Sequence, residues 1–398
     1  MLRRTSTLGT LASLALLPQP AWSRVSSGLV PYIVESGPML LRHVTVIYGR
    51  QQTPGLDCAV LIRAGRITWL GPDAQAPDPK GAKVLDESGN TVMPGLVMLH
   101  EHLFTTSAAE GSQEFLQQQG FSFPVMYLAA GVTTIRTAGS IEPYMDLEIK
   151  RQIDAGEYPG PRMFLTAPYL DGIPPAYPQM HGVTDPDEVS RAVNYWASEG
   201  MTSFEAYTNI TRAELRAAIR TAHERRMKVT GHLYSVGFRE AVDLGIDNLE
   251  HGIIVDIKFL LNKQPDKCPG FFDTLRENGK LDIKGEKVQS LVRYLVSHHI
   301  AITSTLAVLE NAERGLPWNL VSTQGEFMSD LSWMAYMGRR ARLVQNAFPP
   351  VLRKEQEFER DFYRAGASCL QAAIRRVWEA LLRVLEISAN WNCWSKPD

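Results

Sequence analysis

The chain has 398 residues, 44% hydrophobic and 21% charged, an ordinary balance that gives length for one large α/β unit plus a small accessory domain. Its formal net charge of −2 removes the electrostatic case for a nucleic-acid partner or an anionic membrane surface. Cys58, Cys268, Cys369 and Cys393 are scattered without paired ligand spacing, so they define no disulfide framework, although an oxidising compartment leaves room for one bridge.

The chain opens like a cleavable export signal over residues 1–23. Arg3 and Arg4 form a basic start, Leu8 to Leu17 a short apolar run, and Ala21-Trp22-Ser23 a small-x-small cleavage site. The apolar run is too short to span a bilayer, so stable membrane insertion is not expected and a periplasmic or extracellular location is. Residues 38–92 then read as period-two strands separated by glycine turns. Leu41 to Tyr48 alternates around Val44 and Val46, and Cys58 to Arg63 is followed by the turn Ala64-Gly65-Arg66 and the run Ile67 to Gly71. A small antiparallel β-domain is predicted there.

From Val92 apolar strands alternate with helical patterns, the signature of βα units on a parallel sheet. Strands are predicted at Val92–Leu99, Gly131–Arg136, Ser203–Tyr207, Lys228–His232, Asp247–His251 and Ile300–Thr305. Helices are predicted over Glu188–Glu199, from Thr211 with Glu214 completing a capping box, and over Arg239–Leu244. The rhythm fits a (β/α)₈ barrel, in which reactive groups sit at strand C-terminal ends. Segments 103–130 and 167–185 are expected to form loops over the site, with Phe104, Tyr169 and Tyr177 as contacts.

The chemistry concentrates in histidines. His100 and His102 end one strand, and alternate strand residues share a face, so two imidazoles can meet one metal. His232 closes another strand and His251 the next. One histidine alone reads as a hydrogen-bonded core residue; four at strand ends suit zinc or a similar cation. His43, His223, His298 and His299 read as structural or exposed. His181 in a loop is a candidate substrate contact, and Tyr234 a candidate to orient a substrate carbonyl.

The stretch Pro94-Gly-Leu-Val-Met-Leu-His-Glu-His102 resembles the opening barrel strand of the metal-dependent amidohydrolase superfamily. Residues Ala222 to His232 and Ala241 to Gly252 resemble its fifth and sixth strands, closest to the imidazolonepropionase-like and prolidase-like branch. The resemblance covers residues 38 to about 366. It implies a barrel over 93–366, a β-sandwich domain that includes 38–92, and one or two divalent metals, zinc by default. The metal-activated water would attack a C–N bond in a small-molecule substrate. His100 and His102 would hold the first metal and His232 and His251 the second. Glu205 stands where many members carry a carboxylated lysine, and would supply a bridging carboxylate directly.

One departure is larger. The family's eighth strand ends in an aspartate that binds metal and shuttles a proton, and no such strand is legible after Asp361 to Gly366. Residues 367–398 read as an aberrant tail. A plain account is an amphipathic helix with Leu370, Ile374, Val377, Leu381 and Leu385 on one stripe. A sharper one is a displaced reading frame entered near codons 366–368. Read from the third base of each codon, Trp391-Asn392-Cys393-Trp394 forces Glu-Leu-Leu, and Ala373 with Ile374 permits an aspartate. The chain as written is therefore expected to have a barrel incomplete at strand eight and impaired catalysis. Two other functions remain open: a metal-dependent lactonase, esterase or phosphoesterase, and a catalytically dead exported metal- or ligand-binding protein.

Overall fold

Strands of two characters carry the fold in this computed structural model, which describes residues 37–48, 53–107, 115–310, 337, 350–367 and 369–371. The expected export signal and the tail beyond Gln371 lie outside the described residues.

The first group forms one five-stranded sheet, in the order β3-β2-β1-β4, with β5 also on β1. Its strands are β1 (Met39–Val46), β2 (Gly55–Arg63), β3 (Arg66–Pro72), β4 (Lys83–Asp86) and β5 (Thr91–Val92). β2 reads as a continuous apolar run because both of its faces are covered. Cys58 and Val60 pack with Val44 and Val46, while Ala59 and Leu61 pack with Leu40. The expectation of an antiparallel sheet is corrected: β2 runs antiparallel to β1 and β3, but β4 and β5 pair with β1 in parallel. Period-two patterning fixes which side chains share a face, not the direction of the partner strand.

The second group is parallel. One sheet has the order β10-β9-β6, from β6 (Leu96–Glu101), β9 (Val132–Thr137) and β10 (Arg162–Phe164). Another has the order β11-β12-β13-β14-β15, from β11 (Ser203–Ala206), β12 (Lys228–Gly231), β13 (Asn248–Glu250), β14 (Ala301–Ser304) and β15 (Cys369–Gln371). Parallel bridges at Thr166–Ser203 and Leu170–Ala206 join the two sheets, so eight strands follow one another in chain order. Between β6 and β9 lie a hairpin, β7 (Phe104–Ser107) with β8 (Phe115–Gln118), and α1 (Ser122–Ala129).

An eighth strand is therefore present in place, contrary to the sequence reading: β15 pairs in parallel with β14 and lies against β6. Its three residues, Cys-Leu-Gln, show no periodicity, and backbone pairing alone sets it down there. Among the described residues no hydrogen-bonded ladder joins β15 to β6.

Helices cover the parallel strands. They include α2 (Pro143–Asp154), α3 (Pro186–Ser198), α4 (Arg212–Glu224), α5 (Phe238–Asp243), α6 (Phe271–Asn278), α7 (Glu286–Ser297), α8 (Leu306–Glu310) and α9 (Val351–Arg364). The predicted capping box opens α4: Glu214 N–H donates to Thr211 Oγ1 (3.3 Å), and Thr211 N–H to the Glu214 carboxylate (2.8 Å). α7 buries Val288, Leu291, Val292 and Leu295, the spacing of one helical face. Along the strands the apolar residues Phe204, Val229, Leu249 and Ile302 belong to the main core. Their alternates Glu205, Thr230, Glu250 and Thr303 are polar and fully or almost fully buried. One side of the parallel strands thus faces helices, and the other holds a buried polar interior.

Candidate metal centre

That polar interior gathers the four predicted histidines. His100 ends β6 and His102 follows one alternation later; their ring centroids are 5.3 Å apart. The His251 ring lies 4.8 Å from His100 and 3.9 Å from His232. All four line one cavity of about 130 Å³.

The His100 and His251 imidazoles are held from behind. His100 Nδ1 donates to Glu250 Oε2 at 2.6 Å, since an ionised carboxylate only accepts, and this leaves Nε2 for a ligand. Glu250 also accepts from Arg136 (2.7 Å), Asn248 (3.2 Å) and the Thr230 hydroxyl. Burial alone would raise its carboxyl, but the charges of His100 and Arg136 outweigh burial and hold it well below the usual range. The His102 carbonyl accepts from Tyr127 (2.8 Å). His251 Nδ1 meets Thr305 Oγ1 at 2.9 Å, and its Nε2 has no hydrogen-bond partner. Burial pushes His232 down to about 3 and His251 well below the ordinary histidine value, which keeps both rings in the neutral form that binds metals.

His251 reaches the cavity against strand alternation. Glu250, its neighbour, already faces the interior, so an extended residue after it would point away. His251 instead takes φ 69°, and Gly252 follows at φ 93°; a left-handed non-glycine residue costs about 1–2 kcal/mol. The turn is clamped by buried groups. Glu355 on α9 accepts from the N–H groups of Ile253 (3.2 Å) and Ile254 (3.0 Å). Asn278 donates to the carbonyls of Ile253, Ile254 and Asp256. A Cβ on Gly252 would stand 1.7 Å from Glu355 Oε1, so this position admits only glycine.

Glu205 ends β11 beside Thr230 of β12. It is fully buried, and neither carboxylate oxygen has a hydrogen-bond partner. Burial raises it to about 7, with Glu250 adding to the rise and His100 opposing it. It is not among the side chains that line the cavity. An unpaired buried carboxylate in electrostatic reach of His100 and Glu250 is costly without a cation. The donor set therefore fits a divalent metal of the kind imidazole and carboxylate bind.

Of the other predicted residues, Tyr234 lines the cavity with its ring 5.2 Å from His232. Phe104, Tyr169 and Tyr177 also line it. His181 does not: its side chain is 76% exposed and bonds Glu188 at 2.7 Å, while its neighbour Met180 faces inward. Sequence reasoning missed Glu250, Arg136 and Thr305. Glu250 stood inside the motif already recognised, one residue before His251, but its His100 and Arg136 partners lie more than 100 residues away.

A second cluster of ligand types lies on the first sheet, where donor atoms of His43, Asp57 and Asp73 fall within 4.8 Å of one another. There Asp73 is already paired with the Arg42 guanidinium and accepts from His43 N–H. His43 also bonds Asp57 at 2.9 Å.

Residues 91–258 match the family model described as the amidohydrolase family. The imidazolonepropionase of Aromatoleum aromaticum is 35% identical over 91 residues, which is 22% of this chain and 22% of that protein. The 5-methylthioadenosine/S-adenosylhomocysteine deaminase of Symbiobacterium thermophilum is 49% identical over 47 residues, 12% of this chain and 11% of that one. The chain thus matches about a fifth or less of the length of these curated relatives. Among solved structures, one described as a prolidase from Bifidobacterium longum superposes with a TM-score of 0.58 at 21% identity, covering 89% of this chain and 79% of that one. A Xaa-Pro dipeptidase with bound methionine gives a TM-score of 0.58 at 16% identity, covering 88% and 84%. At these identities the structures speak for the fold alone. Residues 91–258 thus carry the amidohydrolase-family match, in a chain whose fold is similar to that of these solved structures.

Proposed function

We propose that this chain is a metal-dependent hydrolase of C–N bonds in small-molecule amides, built on a (β/α)₈ barrel with the 38–92 sheet as part of a β-sandwich. The observation that carries the reading is the cavity lined by four histidines at strand ends, with the buried, unpaired Glu205 carboxylate in electrostatic reach of His100. His100, His102, His232 and His251 would hold one or two divalent ions, zinc by default, with Glu205 as the anionic ligand. Bound there, the metal supplies an activated water and polarises the scissile carbonyl.

The chain's own residues do the rest. Glu250 fixes the His100 tautomer through Nδ1, and Thr305 orients the His251 ring through its Nδ1, the outer-shell arrangement that orients ligands and tunes their basicity. Burial keeps His232 and His251 unprotonated at neutral pH. The Tyr169 hydroxyl donates to the Ala138 carbonyl (2.6 Å) and sits 3.4 Å from His102 Nδ1, which closes the cavity beside that ring. The stretch after β15, from Ala372 to Trp378, contains no aspartate. Weak turnover is proposed with it, because loss of a general base costs roughly 10² to 10⁴-fold. Export is proposed from residues 1–23.

The test is to load the purified chain with zinc, assay neutral amides, dipeptides, lactones and phosphoesters, and repeat after chelation. Amide hydrolysis that disappears with the metal and returns on adding it back supports the reading. Ester or phosphoester turnover would favour the alternative chemistry. Metal binding without any turnover would favour a binding protein.

A further inference from the structure

The cavity above the four histidines is walled by rings in a connected chain. The His102 ring lies 4.6 Å from Phe104, Phe104 6.3 Å from Tyr169, and Tyr169 4.4 Å from Tyr207; Tyr207 lies 4.9 Å from His232, and His232 5.2 Å from Tyr234. Four segments supply these aromatics: the β7–β8 hairpin, the loop after β10, the residues just past β11 and those just past β12. That second loop is held in place by the buried Asp171 carboxylate, which accepts from the N–H groups of Gly172, Ala176 and Asn209. Leu116, Met180, Ile254, Val255, Val308 and Leu309 complete the apolar lining.

Apart from the histidines, no lining side chain among the described residues can carry a charge near neutral pH. A substrate carboxylate or ammonium against this wall would lose its hydration and meet no oppositely charged side chain among these rings. The hydroxyl of Tyr169 is engaged with the Ala138 carbonyl, so that residue offers the cavity its ring.

Building on the hydrolase reading, we infer that the ring chain Phe104–Tyr169–Tyr207–Tyr234 is a subsite for an uncharged aryl or compact apolar group attached directly to the scissile bond. The preferred substrates are then neutral aryl amides. A dipeptide, which carries an ammonium and a carboxylate at its two ends, fits this wall poorly, so the chain would differ in specificity from the dipeptidase whose fold it resembles.

The zinc-loaded full chain can be offered acetanilide and the dipeptide Met-Pro in parallel. The expected result is a kcat/KM for acetanilide at least about tenfold above that for Met-Pro, a margin of one aromatic packing interaction or more. Tyr207→Ala should then raise KM for acetanilide about three- to tenfold, and Tyr207→Phe, which keeps the ring, should restore it. Faster cleavage of Met-Pro would overturn the subsite and leave the hydrolase reading intact. An unchanged KM in Tyr207→Ala would also overturn it. If neither compound is cleaved, calorimetric binding of acetanilide decides. Saturable binding weakened by Tyr207→Ala upholds the aryl subsite while the hydrolase reading fails, and no binding overturns both.

Discussion

Two places in this molecule bring histidine and carboxylate together, and they differ in what the carboxylates already do. On the first sheet, His43, Asp57 and Asp73 hold their donor atoms within 4.8 Å of one another, yet Asp73 is spent on Arg42 and the His43 backbone. In the interior, neighbouring histidine ring centres lie 3.9 to 5.3 Å apart, and Glu205 and one nitrogen of His251 have no hydrogen-bond partner. Proximity of ligand types at a surface is inexpensive, because solvent and a guanidinium satisfy the charge. Burial of an unpaired carboxylate is costly, and a cation at that place would offset the cost.

That contrast can be sharpened first at Glu205. Its value in the metal-free fold, about 7, lies above the ordinary 4.5. The fold's preference for the protonated form therefore stabilises it fully below pH about 4.5 and is lost as pH rises through about 7. Glutamine stays neutral and should escape this loss. Unfolding of metal-free wild type and Glu205→Gln should agree near pH 4.5, then diverge by about 3 kcal/mol in favour of the variant by pH 8 or so. Saturating zinc should reverse the order. A difference independent of pH would break the comparison.

Glu250 offers the next effect. Glu250→Gln removes the anion behind His100 and leaves Arg136 facing a neutral amide; affinity for zinc, measured by competition with a chromophoric chelator, should fall about 10- to 100-fold. Undiminished affinity would mean that His100 is not a ligand. A smaller change is expected at α9: Glu355→Ala leaves the Ile253 and Ile254 N–H groups unpaired and should cost about 1–2 kcal/mol in chemical denaturation. Glu355→Gln, which can still accept, should recover part of it. The smallest change is at His181, where His181→Ala should stay within about 0.5 kcal/mol in stability and leave turnover unaltered. A large loss of turnover there would return His181 to the site.

What was legible in the sequence follows from the range of the interactions. His100, His102, His232 and Glu205 stand at strand ends where local alternation and motif wording place them, His251 was legible from motif wording alone, and the Thr211–Glu214 box was legible because it spans three residues. The Glu250–Arg136 and Glu250–His100 contacts bridge 114 and 150 residues, so no local pattern encodes them. His251 breaks strand parity through a left-handed turn whose clamps come from α6 and α9. The parallel pairing of β4 and β5 and the placing of β15 are decided by backbone partners, which side-chain periodicity does not specify.

The most direct test of the central claim is the metal content of the purified full chain, measured by mass spectrometry after equilibration with zinc and removal of the excess. Wild type, His251→Ala, His100→Ala and the surface variant Asp57→Ala would be compared. The account predicts one or two ions per chain, reduced in both interior variants and unchanged in Asp57→Ala. Metal that survives the loss of His100 and His251 but disappears with Asp57 would contradict it, and so would a chain that binds none.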